Sequence, residues 1–458
     1  MTDFLTWNAH DLIAALAKGQ LSAVEVMQAT LARIAAENGQ YNAIVSLRDP
    51  DILLQEARAA DQSATKGPLF GVPMAIKDLA NVAGIPTSQG SPLFAGKPAV
   101  SSDVWVQRIQ DAGAIIIGKT NTPEFGLGSH TYNPVFGATQ NATVPDHTAG
   151  GSSGGAAVAL ARHMVCLADG SDAMGSLRNP AGWNGVYGMR PTWGRVPAEP
   201  AGDLFMHQLS TDGPMARSPR DLALLLAVQS GPDPRRPLPL PRVDCQSDLD
   251  VDVSGRRIAW LGDWGGAYPM EDGVLSCAAE GVKRFTALGC TVEAVAPPFE
   301  AAALWEAWTV LRAWANAAKL GPIYDNPQTR DALKPEAIWE VEKGRALSGA
   351  AIQRASTLRS DWYRAAHALF QDYDAFVLPT AQCWPFPIAW DWPKQIAGVA
   401  MDTYHRWMEV VVPVSLIGLP CVAVPMAGSR PMGLQIAGHR GDDLGVLQLG
   451  QAWYKATS

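Results

Sequence analysis

Three glycine-bracketed serines stand in one stretch, AGGSSGGAAVALARHMVCLADGSDAMGSLR, residues 149–178. They are Ser152 and Ser153 in GGSSGG and Ser176 in GSLR. Glycine lacks a Cβ, so the backbone beside it can approach a ligand or take positive φ. A serine in that setting presents its hydroxyl with neighbouring N–H groups pointing one way. Acyl transfer needs that pairing of nucleophile and oxyanion donors. A flexible Gly/Ser loop has the same local composition, and GGSSGG alone does not separate the two readings. The second serine, just past the apolar run 164–168, favours chemistry. Upstream, FGVPMAIKD (residues 70–78) places Lys77 at the end of an apolar strand, 71–76.

These residues need rigid elements to position them. Residues 9–18 read as a short amphipathic helix stopped by Gly19. Ser22 and Glu25 form a capping box for a second helix, running to about Ala36 and ended by Asn38-Gly39. Residues 41–47 and 114–119 are strand-like, and 51–64 and 104–113 helical. Thr122-Pro123-Glu124 starts a helix or turn, 126–148 is mostly loop, and 155–163 is a short helix. Ser218-Pro219 caps a long helix, and 232–248 reads as a Pro-rich surface connection. Strands at 257–262, 290–296, 376–380, 421–426 and 432–438 alternate with helices at 272–287, 300–320 and 350–370. The pattern predicts an α/β fold, a mixed central sheet covered by helices on both faces. The expected organisation is one domain over residues 1–458.

With 458 residues, 47% of them hydrophobic and 17% charged, the chain can bury a large core. A net charge of −8 and the lack of a dense Lys/Arg run argue against nucleic acid. The six cysteines are scattered without CxxC spacing, which favours reduced core thiols over disulfides or metal ligands. MTDFLTWNAHDL has neither a basic n-region nor an apolar h-region, so no signal peptide is expected. No apolar run reaches the roughly 20 residues of a membrane span. The expectation is a cytoplasmic protein that meets neither nucleic acid nor membrane.

GGSSGG, the following GSLR serine and the lysine of FGVPMAIKD together resemble the amidase signature family, as does YGMRPTWGRVP at 187–197. The resemblance spans nearly the whole chain and is densest from 70 to 217. It implies a Ser–cis-Ser–Lys triad: Ser176 as nucleophile, Ser152 as the bridging serine after a cis peptide, and Lys77 as base. The chemistry is coherent. Lysine is cationic at its reference pKa of about 10.4, and burial disfavours that form. Neutral Lys77 can then draw a proton from Ser152, which draws one from Ser176, and the reverse relay protonates the departing nitrogen. The resemblance assigns the oxyanion hole to the backbone N–H groups of Ala173, Met174, Gly175 and Ser176. It makes Ser153, Asp172 and Arg178 supporting residues. An ordinary surface ion pair is the alternative for Asp172 and Arg178. Met174, Asn179 and Ala149 depart from the family pattern, and a pocket wall is the expected place for the Met174 side chain.

Substrate contacts are expected from Phe125, Gly126, Leu127 and Gly128 on the acyl side. The aromatic loop that holds Trp384 and Trp390 is expected to form a rim or lid, in preference to the Trp305, Trp308 and Trp314 helix. The expected reaction is hydrolysis of neutral aryl or bulky apolar amides, including anilides, through an acyl-enzyme. Carbamates (a urethanase activity) and aryl esters are extensions of it. No cofactor or metal is expected, and homodimers only by family likeness. The alternative is an amidase-like subunit of a glutamine-dependent amidotransferase, or a non-catalytic scaffold. Three other readings fit worse. Gly113–Thr120 matches GxxxxGK[ST], but its variable residues are the strand itself. Gly150-x-Ser152-x-Gly154 matches the α/β-hydrolase elbow, but no strand precedes it, and the later histidine would be His367, His405 or His439. The eight histidines show no HExxH or paired His/Cys spacing.

Overall fold

The computed structural model describes residues 3–426, 428 and 430–457. The eight-stranded sheet has the spatial order Thr291–Ala294, Arg257–Trp260, Ala375–Pro379, Met432–Gly438, Cys421–Met426, Tyr187–Arg190, Thr211–Ala216, Leu167–Asp172. The first three strands are parallel and each later neighbour pair is antiparallel, so the sheet is mixed as expected. A second sheet pairs Ile115–Thr120 with Ile44–Val45, antiparallel, and with Pro73–Lys77, parallel. The two sheets meet where Lys77 N–H donates to the Asp169 carboxylate at 3.1 Å, from Pro73–Lys77 to Leu167–Asp172.

Helices cover both faces of the large sheet. A Cβ on Gly182 would lie 2.9 Å from Gly433 N, so helix Asn179–Asn184 lies directly on that strand. The adjacent Leu434 instead faces Gly281 of helix Val274–Ala287. Successive strand residues point to opposite faces, so the two helices lie on opposite sides. One apolar cluster then runs from Ala9 to Trp453 and takes in both sheets.

Cys421–Met426 and Met432–Gly438 fall where the apolar alternation puts them. Other boundaries move. The second helix runs on to Tyr41, because the Asn38 side chain accepts Ala43 N–H at 2.9 Å and Ile44 N–H at 2.8 Å beyond the helix end. The strand expected within 164–168 is Leu167–Asp172, shifted toward Ser176. Thr211–Ala216 is a further strand of the large sheet. Helices Pro335–Arg345 and Asp443–Thr457 were not foreseen. The six cysteines are free. Among the described residues no helix is long and apolar enough to cross a membrane. Met1 and Thr2, the start of the segment read against a signal peptide, lie outside the described residues.

Candidate active site

Lys77 is the last residue of a strand buried along its whole length. Its Nζ lies 2.7 Å from Ser152 Oγ, 2.9 Å from Ser153 Oγ and 3.0 Å from Ser171 Oγ. These partners are uncharged oxygens. Burial pushes the Lys77 amine down to about 7, against the longer-range pull of Asp169, Asp212 and Asp172. Near neutral pH a large share of the amine is therefore unprotonated. Sequence reasoning missed Ser171, which lies in the GSD stretch between the two serine motifs. Strand alternation places it on the same face as Asp169, and its hydroxyl on the amine.

Ser152 and Ser153 precede helix Gly154–Ala161. The Gly151–Ser152 peptide is cis, as the resemblance implies. Thr131 clamps the loop from both sides: its Oγ1 donates to Gly150 O at 2.8 Å and accepts Gly154 N–H at 3.1 Å. Gly155 has to be glycine, since a Cβ there would lie 2.3 Å from Asn121 N. Asn179 supports the same loop by accepting Gly151 N–H at 3.3 Å.

Ser176 sits on the turn after Leu167–Asp172. Asp172 organises that turn by accepting Gly175 N–H at 2.9 Å and Leu177 N–H at 3.1 Å. Arg178 binds the carboxylate through Nε and Nη2, both at 3.0 Å, and Arg190 reaches it at 3.2 Å. All three side chains are fully buried, so this is an interior brace and not a surface ion pair. Burial alone would raise the Asp172 carboxyl. The two guanidiniums and the N–H donors outweigh it and hold the group well below the usual carboxylate range.

The brace changes the expected oxyanion donors. Gly175 N–H points at Asp172, while those of Ala173, Met174 and Ser176 have no acceptor among the described residues. Gly175 takes φ of 77°, and a Cβ there would sit 2.9 Å from Val411. Met174 needs no positive φ. Its side chain packs into the main core rather than lining the cavity.

A cavity of ≈ 340 Å³ brings Ser152, Ser171 and Ser176 together with Phe125, Gly126 and Leu127. Ser176 Oγ has no hydrogen-bond partner among the described residues, an arrangement open to an incoming carbonyl. Gly128 faces the Tyr404 ring instead. The expected aromatic rim is displaced. Trp384 is buried, with its Nε1 donating to Asp272 O at 3.0 Å. Trp390 is exposed and stacks on Phe386. Neither reaches the cavity. The far wall is helix Ala301–Asp325, through Trp308, Arg312, Asn316 and Lys319. That spacing is one helical face, so the signal was present in the sequence, but nothing local showed that the face meets the serines.

The rival motifs lose their structural contexts. Ile115–Thr120 is a strand in the smaller sheet, so Gly113–Thr120 makes no phosphate loop. Buried His405 packs against Trp305 and Tyr404, away from the serines.

Serines converging on a buried lysine, on a mixed sheet with helices on both faces, define an amidase-signature hydrolase. The chain belongs to the amidase family, whose profile matches residues 25–447, and it is a hydrolase acting on amide C–N bonds. It is similar to an acylamidase of Rhodococcus erythropolis, 32% identical over 453 residues and covering 96% of this chain and 94% of that protein. It is also similar to a glutamyl-tRNA(Gln) amidotransferase subunit of Chloroflexus aurantiacus, 34% identical, with 97% and 95% covered. A bacterial aryl acylamidase of the amidase signature family superposes with a TM-score of 0.92 at 28% identity, covering 98% and 96% of the two chains.

Proposed function

We propose that the protein hydrolyses aryl or bulky apolar amides, anilides included, through an acyl-enzyme on Ser176. Ser152 acts as the relay and Lys77 as the base. The observation that carries this reading is Lys77 Nζ at 2.7 Å from Ser152 Oγ, in the cavity that Ser176 shares. A neutral amine has two N–H groups and one lone pair, enough for three hydroxyls. The amine donates to Ser153 and Ser171 and accepts from Ser152. Ser152 Oγ passes its own proton to Lys77 Nζ and takes the Ser176 proton as Ser176 Oγ attacks the carbonyl carbon. The oxyanion falls to the unengaged N–H groups of Ala173, Met174 and Ser176. The proton then returns through Ser152 to the amide nitrogen, the C–N bond breaks and the amine leaves. Water attacks the ester by the same relay, releasing the acid and restoring Ser176.

The aromatic part of the substrate packs against Phe125, Leu127 and Trp193, which line the cavity. The resemblance to an acylamidase and an aryl acylamidase supports that choice. Carbamates and aryl esters pass through the same tetrahedral geometry. The likeness to an amidotransferase component makes glutamine the competing substrate.

The test is amine release by the purified protein alone, from anilides, aryl carbamates, aryl esters and glutamine. Anilide turnover abolished by Ser176→Ala and by Lys77→Ala is the expected result. Activity that survives Ser176→Ala overturns the assignment, and glutamine turnover without anilide turnover moves it to the amidotransferase reading.

A further inference from the structure

The cavity wall opposite the serines carries polar and cationic side chains, several of them without a partner among the described residues. Trp308, Arg312, Asn316 and Lys319 lie along one face of helix Ala301–Asp325 and line the cavity. Trp308 Nε1 and Asn316 Nδ2 are buried with no acceptor among the described residues. Arg312 engages Glu340 at 2.7 Å through Nε and Tyr404 at 2.8 Å through Nη2, which leaves Nη1 uncommitted. Lys319, and Arg236 from the 232–248 connection, have no side-chain hydrogen bond or ion pair among the described residues. Lys319 is exposed to solvent, and surrounding protein pushes its amine below the usual lysine value.

The cavity's one acidic side chain does not answer these donors. The Asp203 carboxylate accepts Met206 N–H at 2.7 Å and His207 N–H at 3.0 Å from its own turn. With Glu340 neutralising Arg312 and one charge from Asp203, the wall keeps an excess of positive charge. A ligand that supplies anionic oxygens gives the unpaired cations Lys319 and Arg236 a partner, whereas a neutral one does not.

We infer that the preferred substrate is an amide that also carries a carboxylate, held by Lys319 and Arg236 while its amide carbonyl lies at Ser176. This rests on the hydrolase reading above. It replaces the neutral substrate expected from the aromatic residues with one that has an aromatic body and an anionic end. Lys319 is a specificity-determining residue in this scheme, remote from the bond that breaks.

Two matched pairs test it. Glutaric acid monoanilide against hexananilide places the charge on the acyl arm. 4-Acetamidobenzoic acid against 4-acetamidotoluene places it on the leaving group. The expected result is that one anionic member exceeds its neutral partner about tenfold or more in kcat/KM, mostly through KM, as a charge-assisted hydrogen bond allows. Lys319→Met should bring that ratio to within about twofold of one, and Lys319→Arg should restore it. A wild-type ratio at or below one in both pairs, or a ratio that Lys319→Met does not move, overturns the inference. If the wild type cleaves none of the four, the hydrolase reading is what fails, and calorimetry on Ser176→Ala protein decides the anion site separately. Tighter binding of either acid than of its neutral partner, lost in Ser176→Ala/Lys319→Met, supports the site. Equal binding of acid and neutral partner overturns it.

Discussion

Lys77 and Lys119 are both fully buried, on neighbouring parallel strands of the same small sheet. Lys77 pairs with Thr120 and Lys119 with Ile76, so the two side chains leave the sheet by opposite faces. Lys119 enters a closed polar nest. Its Nζ donates to Ala80 O and to Thr87 Oγ1 at 2.9 Å, with Asp78 at 3.9 Å. Lys77 enters a cavity and meets hydroxyls. Burial pushes Lys119 down to about 8 and Lys77 to about 7. Desolvation alone therefore does not distinguish a base from a brace. A chain of hydroxyls leading to open space does.

The sharpest test of that contrast removes each amine in turn. Lys77→Met should lower kcat/KM by about a thousandfold, within the range for losing a general base, and change the unfolding free energy by less than about 1 kcal/mol. Equal losses of stability in both variants would erase the distinction. Lys119→Met should do the reverse. Asp78 would lose its buried cation, at a loss of about 2 kcal/mol in denaturant unfolding, while the folded fraction keeps its turnover. The smallest effect is the pH profile. With the neutral amine as the proposed base, kcat/KM should rise about tenfold per pH unit below a midpoint near 7 and level off above it. Lys119→Met should leave that midpoint in place, and a midpoint that follows Lys119 would break the comparison.

Lys77, Ser152 and Ser176 were legible because each sits in a local motif, glycine-flanked or ending an apolar strand. The brace of Asp172 by Arg178 was legible for the same reason, being six residues apart. The far wall was not. The aromatic loop around Trp384 and the Trp308 helix look alike as sequence, and only the packing of helix Ala301–Asp325 decides which meets the serines. Thr211–Ala216 does not read as a strand in sequence because Asp, Gly and Pro are turn residues. Pro214 is tolerated because it lies opposite Asp169 on one side and beyond the last pairing, Gly188 with Met215, on the other. Gly175 was expected to donate to the oxyanion, and no local signal indicates that Asp172 turns back to take its N–H.

The meeting of the two sheets at Asp169 has one more consequence. Lys77 belongs to the small sheet, whereas Ser176 hangs from the outer strand of the large one. The proposed base and nucleophile therefore straddle a joint, and a slip of an ångström along it would part them with both sheets still intact. Turnover is in effect a vernier on that joint. In rising denaturant it should fade before the helical signal does, reporting the sheets' alignment rather than their survival.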